Sequence, residues 1–134
     1  MPDIALNHLA VVVDSLDDAL GFWCGALGLA RAGGTQSITD EGVDVAFLNL
    51  GDSHLELIQP TADDSGVARY LAKRGPGLHH FCLEVPDLDS VLQALRDSGV
   101  ELINEVARER DGRRYAFVHP ASASGVLLEL YERI

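Results

Sequence analysis

Asn7-His8-Leu9-Ala10-Val11-Val12-Val13 leads into Ser15-Leu16-Asp17-Asp18-Ala19-Leu20, and the pair returns as His79-His80-Phe81-Cys82-Leu83-Glu84-Val85 leading into Asp87-Leu88-Asp89-Ser90-Val91-Leu92. The step from His8 to His80 is 72 residues, and Leu16 to Leu88, Asp17 to Asp89 and Leu20 to Leu92 keep it. A second echo closes each half. Leu55-Glu56-Leu57 recurs 73 residues on as Leu128-Glu129-Leu130, and Ala46-Phe47 recurs 70 residues on as Ala116-Phe117. Each half brings one His near its start and one Glu near its end. Imidazole nitrogens and carboxylate oxygens are standard donors to divalent ions, so His8, Glu56, His80 and Glu129 form a candidate ligand set.

Working outward, residues 7 to 13 and 79 to 85 are apolar and rich in branched side chains, and read as strands. Asp14 or Ser15 caps a helix whose apolar positions Leu16, Ala19, Leu20, Trp23 and Leu27 keep helical spacing up to Gly28. Trp23 and Phe22 read as core. Asp87 opens the matching helix, with Leu88, Val91, Leu92 and Leu95 on one face and Gly99 at its end. Three strands are expected after each helix: about 29–38, 43–50 and 53–59, then about 101–108, 113–119 and 125–131, with Gly51-Asp52 as a hairpin turn. The fold class is therefore α+β, built from two tandem βαβββ modules. Module one spans about 4–60, a capped connecting helix about 61–76, and module two about 77–134. At 134 residues the chain is one domain's worth of protein, and halves this small need to share a core or a sheet.

Strand alternation sets Leu9, Val11 and Val13 opposite His8, Ala10 and Val12, and Phe81, Leu83 and Val85 opposite His80, Cys82 and Glu84. Leu55 and Leu57 flank Glu56 as Leu128 and Leu130 flank Glu129. If each half curls so that its leucine face meets the helices, both His and both Glu face an inner cup. The other reading turns the two carboxylates to solvent, and periodicity does not choose. His79 has Asn7 as its repeat partner and points to the other side of the strand, so it reads as structural. His54, beside the hairpin, reads as exposed. His119, in Phe117-Val118-His119-Pro120, is either structural or substrate-contacting.

A net charge of −11 excludes the basic footprint that nucleic-acid binding needs. The basic residues are grouped, however: Lys73 and Arg74 precede Gly75, and Arg108, Arg110, Arg113 and Arg114 lie together. Such patches are either solvated loop charges or a seat for an anionic ligand. Cys24 and Cys82 lack a CxxC spacing and read as small buried residues in a reducing compartment. No apolar run approaches the ~18 residues of a membrane-spanning helix, and Met1-Pro2-Asp3 is unlike a signal peptide, so a cytoplasmic location away from membranes is expected.

These residues together resemble the vicinal oxygen chelate superfamily, which includes glyoxalase I, extradiol dioxygenases and bleomycin-resistance proteins. Within it the likeness is to the methylmalonyl-CoA epimerase family and covers essentially the whole chain. It is carried by Leu6-Asn7-His8, Gly42-Val43 leading to Ala46-Phe47-Leu48, and Glu56-Leu57 before Gln59-Pro60. Its most specific pieces are Gly77-Leu78-His79-His80 with Glu84-Val85, and Phe117-Val118-His119-Pro120 with Gly125-Val126-Leu127-Leu128-Glu129-Leu130. The resemblance implies one eight-stranded, cup-shaped sheet with helices outside, and one divalent ion per chain (Co²⁺, Mn²⁺, Zn²⁺ or Ni²⁺) held by His8, Glu56, His80 and Glu129. It further implies an acyl-CoA thioester substrate and a homodimer.

The implied chemistry is inversion of the α-carbon of methylmalonyl-CoA by proton transfer through an enolate, with Glu56 and Glu129 as the catalytic acid/base pair. The alternative is a glyoxalase I-type lactoylglutathione lyase. A fourth ligand, Glu56, disfavours an extradiol dioxygenase, and the full ligand set disfavours a drug-sequestering module. Two departures stand out. Some epimerases of the family carry a Glu, proposed as catalytic, where this chain has Val45, and a Gln where it has Glu56. The usual glycine-rich stretch before the third strand of module two is replaced by Arg108-Glu109-Arg110-Asp111-Gly112-Arg113-Arg114.

Overall fold

Branched and apolar residues at alternate positions make Ala5–Val12 the first strand, β1, and Gly77–Val85 its repeat, β5. The computed structural model describes residues 3–134. Eight strands and three α-helices among them define an α+β fold. The chain divides into two compact units: Leu9–His79, and a second made of residues 3–8 with 80–134. β1 and β5 each contribute residues to both.

In the unit Leu9–His79, β1 is followed by α1 (Leu16–Leu20), then β2 (Gln36–Ile38), β3 (Val43–Leu50), β4 (Ser53–Pro60) and α2 (Gly66–Arg74), with strand order β2-β3-β4-β1. The other unit adds α3 (Leu88–Asp97), β6 (Arg108–Arg110), β7 (Arg113–Val118) and β8 (Leu128–Glu132), in the order β1-β5-β8-β7-β6. β5 runs parallel to β8, whereas β6–β7 and β7–β8 are antiparallel.

Each helix start is tied down in the same way. Ser15 Oγ accepts from Asp18 N at 3.2 Å, and Asp87 Oδ1 accepts from Ser90 N at 3.2 Å. The first amide of the helix, Leu16 N, donates to Gln59 at 2.7 Å, and its repeat equivalent Leu88 N donates to Glu132 at 3.0 Å. In both repeats a side chain near the end of the last strand receives the opening amide of the helix. The connecting helix forms where expected: Ser65 caps α2 by accepting from Ala68 N at 3.0 Å. Gly51, at φ 59°, makes the β3–β4 turn.

The leucine faces meet the helices. Leu55, Leu57, Ala46 and Leu48 pack on Leu16, Ala19, Leu20 and Trp23. Leu130, Leu128, Ala116 and Val118 pack on Leu88, Leu92 and Leu95. Leu88 and Leu92 are almost fully buried, each contributing roughly 1.5–3 kcal/mol. The opposite face of β3 and β4 has its own apolar cluster of Ala10, Val43, Val45 and Ile58, joined by Phe47.

Three expectations are corrected. The helix expected to run to Gly28 is α-helical only to Leu20. It then widens into a π turn over Gly21–Ala26, with Leu27 N bonding Phe22 O at 2.8 Å. One extra residue in a turn rotates the later side chains about the helix axis by about 100°. Trp23 and Cys24 stay against the core, while Phe22 and Leu27 are 55% and 56% exposed. Phe22 is therefore not a core residue.

The strand expected over 29–38 shortens to β2, because Gly33 at φ 89° breaks it; residues 30–32 still bond to β3 through Asn49 N and Ala32 N. The strand expected over 101–108 does not form: Leu102 makes only an isolated bridge to Val118, Asn104 accepts from Phe117 N at 2.8 Å through its side-chain oxygen instead of its backbone, and β6 begins only at Arg108.

Candidate metal centre

Alternation along β1, β5 and β8 turns His8, His80, Cys82 and Glu129 away from the leucine face, and the ladders bring them together. Cys82 is the register partner of Glu129 across β5–β8, and Phe117 is its partner across β7–β8. His8 Nε2 lies 3.2 Å from His80 Nε2. Each of these nitrogens lies 3.3 Å from Glu129 Oε1. His8, His80 and Glu129 are all buried, Glu129 at 3% exposure. For this unit, the choice between solvent and interior is decided: the carboxylate faces inward.

Such a triangle fits a divalent ion. Ligand bonds of about 2.1 Å place neighbouring donor atoms about 3.0 Å apart at octahedral angles and about 3.4 Å apart at tetrahedral angles, and the three observed edges fall between.

The donor chemistry agrees. Asn7 Nδ2 donates to Glu84 Oε1 at 2.7 Å, and a carboxylate only accepts, which fixes the orientation of the amide. Asn7 Oδ1 then faces His8 Nδ1 at 2.7 Å and receives its proton. Nε2, the other nitrogen of the ring, is turned toward His80 and Glu129. Burial pushes the Glu129 carboxyl up, but hydrogen bonding and charge from His8 and His80 outweigh it and lower its pKa to about 2. Two imidazole nitrogens and an ionised carboxylate converge here, donor types that suit a divalent ion.

The supporting layer continues outward. Asn7 holds Glu84 below the usual carboxylate range, with Arg133 adding to the effect; Arg133 Nε donates to Glu84 at 3.4 Å and its Nη1 to Asp3 at 2.7 Å. Tyr131 packs edge-on against His8, ring centroids 5.6 Å apart, and Phe117 against His80 at 5.8 Å.

Glu56 lies in the unit Leu9–His79. It is half-buried in β4, on the face opposite Leu55 and Leu57, and is the register partner of Phe47. His79 turns the other way from His80 and packs on Tyr70, centroids 4.8 Å apart. His54 is half-buried, not exposed. His119 caps the short 3₁₀ turn Pro120–Ser122, its Nδ1 accepting from Ala121 N at 2.9 Å, which favours the structural side of its two readings.

Sequence reasoning missed two residues here. Asn7 entered the sequence reading only as the repeat partner of His79, though an amide in place of an imidazole at that point of the repeat marked a difference worth explaining. Cys82 is buried as expected, but its sulfur also groups with ligand atoms of His8 and Glu129, all within 4.8 Å of one another. The two-residue spacing from His80 on one strand was the signal.

Residues 7–117 match the family model of the Glyoxalase/Bleomycin resistance protein/Dioxygenase superfamily, and the chain belongs to that superfamily. It is 36% identical over 127 residues to the mitochondrial methylmalonyl-CoA epimerase of Bos taurus, covering 93% of this chain and 72% of that protein. The crystal structure of a hypothetical protein from Bacillus halodurans superposes with a TM-score of 0.91 at 35% identity, covering 98% of this chain and 96% of that one. A structure of methylmalonyl-CoA epimerase in complex with methylmalonyl-CoA and NH4+ superposes with a TM-score of 0.83 at 32% identity, covering 95% and 92%.

Proposed function

We propose that the protein is a metal-dependent epimerase that inverts the α-carbon of methylmalonyl-CoA. The observation that carries the reading is the buried triangle of His8 Nε2, His80 Nε2 and Glu129 Oε1, with edges of 3.2 to 3.3 Å, in a chain alike over almost its whole length to epimerases of that substrate.

His8, His80 and Glu129 would hold the ion. Glu56 is the fourth ligand of this reading, on the strength of its repeat equivalence to Glu129 and its place opposite the leucine face of β4. Imidazole and carboxylate donors suit Co²⁺, Mn²⁺, Zn²⁺ or Ni²⁺. When bound, such an ion supplies Lewis acidity that eases negative charge on a thioester oxygen.

Inversion requires a proton to leave one face of the carbon and return to the other, so two acid/base groups are needed, each contributing about 10²- to 10⁴-fold. Glu129 and Glu56 take these roles, one from each repeat. Glu129 is held ionised by its two imidazole neighbours, and to take up a proton it has to loosen from that hold during turnover. Asn7 orients His8, and Tyr131 and Phe117 wall the imidazoles from water. The substrate partner is an acyl-CoA thioester, the assembly a homodimer, and the compartment the cytoplasm. The described helices include none long and apolar enough to cross a membrane.

The test is incubation with single-enantiomer methylmalonyl-CoA in heavy water after loading with cobalt. Exchange of the α-hydrogen together with racemisation is expected. Inertness toward this substrate, alongside turnover of the methylglyoxal–glutathione hemithioacetal, would move the protein to the glyoxalase I class.

A further inference from the structure

Three arginines near the end of the sheet have different surroundings. Arg114 donates to Asp89 at 2.7 Å and to Glu132 at 2.9 Å. Arg133 donates to Asp3 at 2.7 Å and to Glu84 at 3.4 Å. Arg113 differs from both: its guanidinium lies over the ring of Tyr131, 4.6 Å from the centroid, and its Nη1 is buried without a hydrogen-bond partner among the described residues. Stacking satisfies the face of a guanidinium, but its N–H donors lie in the plane and still require acceptors. Glu84 feels the charge of Arg113, yet Asn7 and Arg133 already occupy its oxygens. Buried donors in folded proteins are nearly always paired, so an orphan marks a missing partner.

The position indicates which partner. The β7–β8 ladder pairs Tyr115 with Tyr131 and Phe117 with Glu129, so Arg113, Tyr115 and Phe117 project on the same face as Glu129 and Tyr131. Tyr131 itself touches His8. Arg113 is thus one aromatic ring away from the candidate metal ligands. Arg110 lies over Tyr115, 4.6 Å from its centroid, and Arg108 is the register partner of Tyr115, so cations collect on this face of a chain with net charge −11.

We propose that Arg113 receives an oxyanion of the substrate, as a planar fork suited to a carboxylate or phosphate. The proposal rests on the acyl-CoA reading, whose substrate offers both groups, the α-carboxylate beside the reacting carbon and the phosphates of the carrier. Arg113 is half-buried as a residue, so rotation of its long stem is enough to present Nη1 to a ligand.

Calorimetric titration of the cobalt-loaded protein with three ligands separates the sources. Methylmalonyl-CoA has both anions, propionyl-CoA lacks the carboxylate, and methylmalonyl-N-acetylcysteamine lacks the phosphates. If the carboxylate is received, Arg113→Gln weakens the first and third ligands by about tenfold or more and leaves propionyl-CoA unchanged. If a phosphate is received, the first two weaken and the third does not. Wild-type affinity of Arg113→Gln for all three overturns the proposal.

Arg113→Lys, which keeps the charge but loses the fork, serves if the Gln variant folds poorly. Intermediate affinity supports the proposal, and wild-type affinity for all three ligands overturns it. Should the wild-type protein bind no acyl-CoA, the epimerase reading fails separately. Arg113 is then judged by titrating malonate and inorganic phosphate while following arginine Nε–H resonances. A shift lost in Arg113→Gln supports an anion site, and identical titrations of both proteins remove it.

Discussion

Asn7 shows how one uncharged side chain can settle the chemistry of a neighbour. Its amide has two ends, and the acceptor-only carboxylate of Glu84 claims the donor end, so the oxygen is left for His8 Nδ1–H. Removing the amide removes the bias. Asn7→Ala is expected to let both neutral tautomers of His8 populate, seen as averaged imidazole ¹⁵N shifts in long-range correlation spectra, and to weaken divalent-ion binding by about 10- to 100-fold. Asn7→Asp keeps an acceptor for Nδ1–H and should keep the tautomer, although it sets a second carboxylate against Glu84. An unchanged His8 spectrum in Asn7→Ala would mean that something other than Asn7 selects the tautomer. None of this was legible in the sequence, where Asn7 is only the residue before a histidine. The amide acts through Glu84, 77 positions away, and only β1 lying beside β5 makes them neighbours.

At the scale of elements, the β3–β4 hairpin carries the first of the two departures that the family resemblance brings out. Its ladder pairs Val45 with Ile58 and Phe47 with Glu56, so Val45 and Glu56 are diagonal neighbours on one face, about 7–8 Å apart by strand geometry. A carboxylate at either position would occupy similar space. Glu56→Gln should retain metal, since an amide oxygen can replace a carboxylate oxygen as a ligand, but should lose epimerisation by about 10²-fold, since an amide does not accept the proton. Adding Val45→Glu to that variant should restore part of the rate. Near-normal turnover by Glu56→Gln alone would reduce Glu56 to a ligand and send the search for the second base elsewhere. The hairpin was legible because Gly51-Asp52 sits between two alternating runs. The shortening of β2 and the late start of β6 were not, because they depend on Gly33 adopting a positive φ and on Asn104 offering its side chain to the ladder.

At the scale of the whole molecule, an ion bound only by the folded chain must stabilise it. Cobalt or zinc at about 100 times its dissociation constant adds about 2.7 kcal/mol, which should raise the thermal midpoint by on the order of 10 °C. His80→Ala should abolish the rise and His79→Ala should keep it. The reverse pattern would show that the face assignment of β5 is off by one residue. The sequence by itself determined the repeat, the βαβββ order in each half, the residues that alternate with the leucines, and the pairing of one His with one Glu per repeat. These arise from local chemistry, in the two-residue period of strands, the helical spacing of leucines, and side chains that cap. Only the tertiary structure decided that Glu129 faces the interior, since an alternating strand has two faces and nothing in its own residues says which one water reaches. It also decided the three-atom contact among His8, His80 and Glu129, the hold of Asn7 on His8 and the burial of Arg113 Nη1 without a partner among the described residues. Each depends on side chains brought together from distant positions by strand register, which is a property of the packed sheet and not of any segment within it.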